Sequence, residues 1–137
     1  MNVTVELVPS FDLRNLLGYD APEAQIKEHE ACITDSTQIW LGRADGVDAC
    51  AIGVIPYGSI FSETVYIWLI YTRICEQHPL RFIRWSRRVI DEIRYNYPVI
   101  VGLCKCDGEH SQAWLKCLGA SFDYHNPYNG HYRFRIE

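Results

Sequence analysis

The chain has no stretch approaching the ~18 consecutive apolar residues needed to span a bilayer. Its first residues, Met1-Asn2-Val3-Thr4-Val5-Glu6, have neither the basic start nor the apolar run of a secretory signal. Membrane insertion and export are not expected, and the sequence reads as intracellular. Positive charge is also scarce: 17 acidic against 13 basic side chains leave a formal charge of -4. That balance argues against electrostatic capture of nucleic acid and favours small molecules or proteins as partners. There is no Gly-x-Gly-x-x-Gly and no P-loop, which sets aside the usual dinucleotide and nucleoside-triphosphate folds. No Cys-x-x-Cys occurs either. Cys104 and Cys106 are two apart, and Cys32, Cys50, Cys75 and Cys117 are scattered through mostly apolar segments. Reduced thiols are therefore expected, with no metal site.

What the chain does have is enough apolar material for one core. With 137 residues, 48% of them hydrophobic, a single domain spanning 1–137 is expected. Val3 to Val8 alternates and stops at Pro9, an opening strand. Asp12 can cap a short helix to Leu17, and Glu23 to Cys32 follows Pro22 as a second helix. Gln38–Arg43 and Val47–Ile55 flank Ala44-Asp45-Gly46, a hairpin signal, before a break at Pro56-Tyr57-Gly58-Ser59. Thr64 to Thr72 is apolar on both faces and should be a central strand covered by helices. From Pro79 to about Tyr95, Phe82, Ile83, Ser86, Val89, Ile90 and Ile93 fall at helical spacing, opposite Arg81, Arg84, Arg87 and Arg88. Trp85, lying among the arginines, reads as an interface anchor, while Trp40, Trp68 and Trp114 read as core or cleft-lining residues. Val99–Cys106 is a second buried strand, expected to lie parallel to the first. A helix from Glu109 to Leu118 and a hairpin around Asn129-Gly130 complete the chain. The fold class is α/β: a mixed central sheet with helices on both faces.

This order resembles the GNAT superfamily of acyl-CoA N-acyltransferases over nearly the whole chain. Trp68-Leu69-Ile70, His78-Pro79, Phe82 to Arg88, Tyr97-Pro98 and Ser111 to Gly119 also resemble, in order, the blocks of a family of small phage proteins. That family includes the internal virion protein A of short-tailed coliphages. The superfamily likeness implies a loop Arg/Gln-x-x-Gly-x-Gly/Ala after the central strand, whose amides hold the cofactor pyrophosphate. The matching stretch here is Arg73-Ile74-Cys75-Glu76-Gln77-His78, with Glu76 and His78 at the small-residue positions. Leu115 stands where a proton-donating tyrosine is common, and Gly108 where an asparagine is. Leucine cannot donate a proton.

The expectation drawn from these departures is a phage protein that takes no cofactor and acts through a phage or host protein in the host cytoplasm, with virion association possible. The arginine face is its docking surface, and oligomeric state is left open. The alternative is an active acetyl-CoA-dependent N-acyltransferase, with Arg73, Gln77 and His78 holding the cofactor and no residue assigned to catalysis. Glu63, Asp107 and Glu109 are then candidate bases, His78 a candidate proton acceptor, and Cys75 a thiol that Arg73 and the helix start would draw low while adjacent Glu76 pushes the other way.

Overall fold

The computed structural model describes residues 1–58 and 62–137; Ser59, the last residue of the expected break, lies outside them. Twelve elements follow in order: β1 (Val3–Leu7), α1 (Arg14–Leu17), α2 (Glu23–Asp35), β2 (Gln38–Ala44), β3 (Val47–Pro56), β4 (Thr64–Tyr71), α3 (Arg73–Gln77), α4 (Pro79–Asn96), β5 (Val99–Lys105), α5 (Glu109–Cys117), β6 (Ser121–Tyr128) and β7 (His131–Ile136). The strands form one sheet in the order β1-β2-β3-β4-β5-β7-β6. All neighbours are antiparallel except β4 and β5, which run parallel as expected. The α4 crossover makes that pairing possible, because parallel strands need a long connection.

The β2–β3 hairpin turns at Asp45 and Gly46, both at positive φ (49° and 82°), the geometry that Asp-Gly tolerates. Upstream, the Asp12 carboxylate accepts the Arg14 amide at 3.0 Å, but the helix begins later than expected and its N-cap is Leu13, which makes no side-chain cap.

Alternation along β4 divides the interior. Val65 and Ile67 join the cluster under α4 and α5, while Trp68 and Ile70 join the one under α1 and α2. Close approach depends on two glycines. A Cβ at Gly53 would lie 2.1 Å from the Trp68 ring, and one at Gly102 2.5 Å from Phe134.

Helix α4 holds the largest stripe: Phe82, Trp85, Ser86, Val89, Ile90 and Ile93 are buried. Trp85 corrects the sequence reading, since it is buried in the core rather than exposed among the arginines. It stands three residues after Phe82 and four before Val89, within the same helical face, and its ring packs over Gly42, where a Cβ would come within 3.0 Å. Arg81, Arg84, Arg87 and Arg88 are exposed, as expected. Arg81 and Arg87 donate to the carbonyls of Met1 and Cys117, and Glu92 accepts Trp40 Nε1 at 2.9 Å. All six thiols are free. Among the described residues, no helix is long and apolar enough to cross a membrane.

Candidate functional site

The site begins where the two central strands part. Strands β4 and β5 pair only at Thr64–Val99, Val65–Ile100 and Tyr66–Val101. Beyond that point β5 stays tied to β7 as far as Lys105–His131, so β4 from Ile67 onward leaves its β5-facing edge without a strand partner. A strand edge in this state offers unpaired amides and carbonyls to whatever enters. The gap opens into a cavity of ≈ 520 Å³ that reaches both faces of the sheet. Its wall includes Tyr66, Trp68 and Tyr71 of β4, Cys104 of β5, and Ser111 and Trp114 of α5. On the α2 side it is closed by Gln25, Glu28, His29 and Cys32.

A second cavity of ≈ 240 Å³ lies between the start of α4 and α5, bounded by Cys75, Glu76, Pro79, Phe82 and His110. Tyr71 and Trp114 line both cavities and form the partition between them. The Tyr71 hydroxyl is 2.7 Å from Ser111 Oγ, and its ring meets Trp114 edge-on at 5.2 Å between centroids. Trp114 is in turn fixed to α4, where its Nε1 donates to Ser86 Oγ at 2.7 Å. Burial raises the Tyr71 pKa, with smaller contributions from Glu76, Cys104 and Cys75, against the lowering effect of the Ser111 hydrogen bond. Tyr66 is raised too, first by burial and then by Cys32 and Glu28.

The residues expected to hold a cofactor occupy the link between β4 and α4. Arg73 opens α3, Gln77 closes it, and His78 joins it to α4; all three are exposed. The sequence reading treated this stretch as a loop, but it winds into a short helix. Its amides turn inward on themselves, Cys75 to the Thr72 carbonyl at 3.1 Å and His78 to that of Ile74 at 3.2 Å. Thr72 anchors the turn, its amide and hydroxyl both donating to Ala49 O, at 3.0 and 2.8 Å. Cys75 Sγ lies 3.5 Å from the same carbonyl. The Cys75 thiol is held below its ordinary value, chiefly by the Cys50 thiol, whose own value burial pushes up.

Of the carboxylates expected near the cleft, Glu63, Asp107 and Glu109 line neither cavity; Glu28 and Glu76 do. Leu115, at the position common for a donor tyrosine, is 2% exposed and packs into the core. Sequence reasoning missed the contribution of α2, although Gln25, Glu28, His29 and Cys32 recur at three- and four-residue spacing along one helical face.

No protein-family model matches the chain, and no curated protein matches it. Solved structures do. An IAA acetyltransferase from Bacillus cereus superposes with a TM-score of 0.72 at 15% identity, covering 99% of both chains. The fold is that of the GNAT acetyltransferases. A Bacillus subtilis acetyltransferase in complex with CoA gives 0.70 at 14% identity, again over 99% of both chains. An acetyltransferase from Streptococcus agalactiae gives 0.68 at 12%, covering 96% of this chain and 97% of that one. The expectation that this chain takes no cofactor is corrected here. It rested on Glu76 and His78 in place of small residues, whereas a GNAT protein matched end to end holds CoA.

Proposed function

We propose that this chain is an acyl-CoA-dependent N-acyltransferase with an atypical pyrophosphate segment. The observation that carries the reading is the parting of β4 from β5 after Tyr66, with a ≈ 520 Å³ cavity passing through the gap. A cavity open to both faces lets an acyl donor enter from the α4–α5 side while an amine approaches from α2. The fit is good for the amide-bearing arm of the cofactor, because the free edge of β4 supplies partners for its amides. At the phosphate end Arg73 and His78 are the donors, standing outside both cavities, and Glu76, which lines the smaller one, opposes them.

When bound, acyl-CoA supplies an activated thioester. The chain's residues then have separable tasks. The β4 edge orients the arm; Trp68 and Trp114 keep water from the gap; Glu28 and His29 stand on the acceptor side, where either can take a proton from an incoming ammonium through water.

Calorimetry with acetyl-CoA tests the reading. Saturable binding in the micromolar range, weakened about tenfold or more by Arg73→Ala, is the expected result. Absence of binding by the intact protein overturns it.

A second reading concerns partners, and it is compatible with the first. The exposed Arg84 and Arg88 on α4, flanked by Arg81, suit an acidic surface on a phage or host protein in the host cytoplasm, the setting that the phage-family resemblance implies. Replacing Arg81, Arg84 and Arg88 together with alanine should leave the melting temperature nearly unchanged and abolish capture of the partner from infected-cell extract. Unchanged capture at physiological salt would remove this face from consideration.

A further inference from the structure

We propose that the free edge of β1 is a docking strip for an acidic peptide segment, which joins the seven-stranded sheet as a further strand and lays its carboxylates along the arginines of α4. This rests on the docking reading above and specifies the partner's chemistry: an extended segment with an acidic residue at every second position.

The sheet ends in two edge strands, β1 and β6. Strand β6 is blunted, because Pro127 lies within it and its pairing with β7 slips between Asp123 and Tyr128. Strand β1 has neither safeguard. It pairs with β2 without a break from Val3–Ala44 to Leu7–Trp40. The Asp45 amide donates to Asn2 O at 2.8 Å and the Val8 amide to Ile39 O at 3.0 Å, so the even-numbered residues turn their backbone groups toward β2. Those of Val3, Val5 and Leu7 consequently face outward, with no strand partner among the described residues.

Beside this edge runs a groove of ≈ 650 Å³, walled by Val3 and Val5 of β1, Trp40 of β2, and Arg81, Arg84 and Arg88 of α4. Helix and strand lie alongside one another. Arg81 donates to Met1 O at one end, and at the other Glu92 accepts from Trp40, the residue opposite Leu7. From Arg81 to Arg88 the helix axis advances about 10 Å. Side chains on one face of a strand stand about 7 Å apart, so two or three carboxylates cover that length. Among the described residues none of the three arginines is in an ion pair. Glu92 is the one carboxylate on the groove wall, and Trp40 occupies it. Glu6 lies on the opposite face of β1, bonded to Arg43. Trp85 also lines the groove; it is 6% exposed, and its Nε1 has no hydrogen-bond partner. A carbonyl or carboxylate set down beside the ring would supply one.

Charge decides the occupant. Two copies joined antiparallel through β1 would carry their α4 helices on the same face of the joined sheet, setting one unpaired arginine row toward the other. An acidic segment instead neutralises the row while its backbone pairs with Val3, Val5 and Leu7.

The probe is an acetylated peptide of about nine residues in which glutamate alternates with threonine, long enough to cover β1. One altered form carries lysine in place of glutamate. Two others carry N-methyl groups, either on the glutamate amides or on the threonine amides. Strand addition turns one of these sets toward β1 and the other toward solvent, whichever direction the peptide runs. The parent peptide should bind saturably at physiological salt with a Kd of ~10–100 μM, and the lysine form should not bind. One methylated form should lose ~10-fold or more while the other stays near the parent. Replacing Arg84 and Arg88 together with alanine should weaken the parent peptide by ~10-fold or more. In nuclear magnetic resonance spectra the indole N–H signals of Trp40 and Trp85 should shift on binding, and those of Trp68 and Trp114, which line the other cavity, should stay in place.

Equal binding of both methylated forms, or equal loss by both, overturns strand addition, and this comparison leaves the protein unaltered. If the parent peptide does not bind while arginine-dependent capture from infected-cell extract persists, strand addition is overturned and the docking reading stands. If both are absent, both are overturned. A concentration-dependent dimer that Val5→Pro dissociates would show a second copy on the edge and overturn the acidic occupant, since that change removes an outward amide and spares the bonds to β2.

Discussion

Substituting Gly53 with alanine tests whether the wall of the cleft is built as the structure shows. The added Cβ would lie 2.1, 2.2 and 2.4 Å from three atoms of the Trp68 indole, well inside any real contact. Trp68 cannot simply step aside. It is 7% exposed, stacks on Phe11 at 6.3 Å between centroids, and donates from Nε1 to Ser36 Oγ at 2.7 Å. Relief therefore requires an off-rotamer ring or a displaced strand, which costs about 1–3 kcal/mol, and a broken indole hydrogen bond adds about 1 kcal/mol. At this chain length a loss of ~2–4 kcal/mol corresponds to a fall in Tm of roughly 10 °C. The control is Gly46→Ala, where nothing lies within 4 Å and only the positive φ of 82° opposes a side chain. That change should cost ~1 kcal/mol. Urea melts followed by tryptophan fluorescence give both numbers. If Gly53→Ala proves no worse than Gly46→Ala, Trp68 does not lie flat on β3, and the cavity wall described above is wrong.

Stability should also fall on the alkaline side. Tyr66 and Tyr71 are raised above the ordinary value of 10.0, and Cys32 and Cys104 above 9.0. In each case the unfolded chain releases its proton first, so their contribution is full below pH ~9 and shrinks as pH rises through the folded values. Cys75, lowered, acts in the opposite sense. Urea midpoints should therefore drop steadily above pH ~9, and a flat profile to pH ~11 would contradict the burial of these groups. Thiol labelling should be graded: Cys117, exposed, reacts first; Cys32 and Cys106 follow; Cys50, Cys75 and Cys104 wait for unfolding. Mass measurement after labelling the unfolded, unreduced protein should count six modified thiols, and a smaller number would reveal disulfides.

The sheet was legible because its strongest strands carry local signals. Asp45-Gly46 marks the β2–β3 turn, and the two-sided apolar run of β4 announces a strand with helices above and below. Pro79 at the start of α4 and the stripe from Phe82 to Ile93 give the crossover that makes β4 and β5 parallel. What the periodicity left ambiguous was Trp85. It falls at the margin between the apolar stripe and the arginine face, and only the absence of a side chain at Gly42, on a strand far away in sequence, decides which way the ring packs. Short α3 was missed for a related reason. Five residues are too few to show a helical period, and Thr72 starts the turn by bonding to Ala49 on another strand.

The site was harder to read than the fold because its residues belong to different faces and different elements. Motif matching looks for function at fixed positions, here Leu115 and the stretch from Arg73 to His78, and records loss where those positions differ. Chemistry depends instead on what reaches the gap. Tyr71 is an ordinary strand residue in sequence, one aromatic among several in β4. It becomes distinctive only because β4 and β5 stop pairing five residues earlier, at Tyr66, which frees the end of the strand to turn its side chain toward α5.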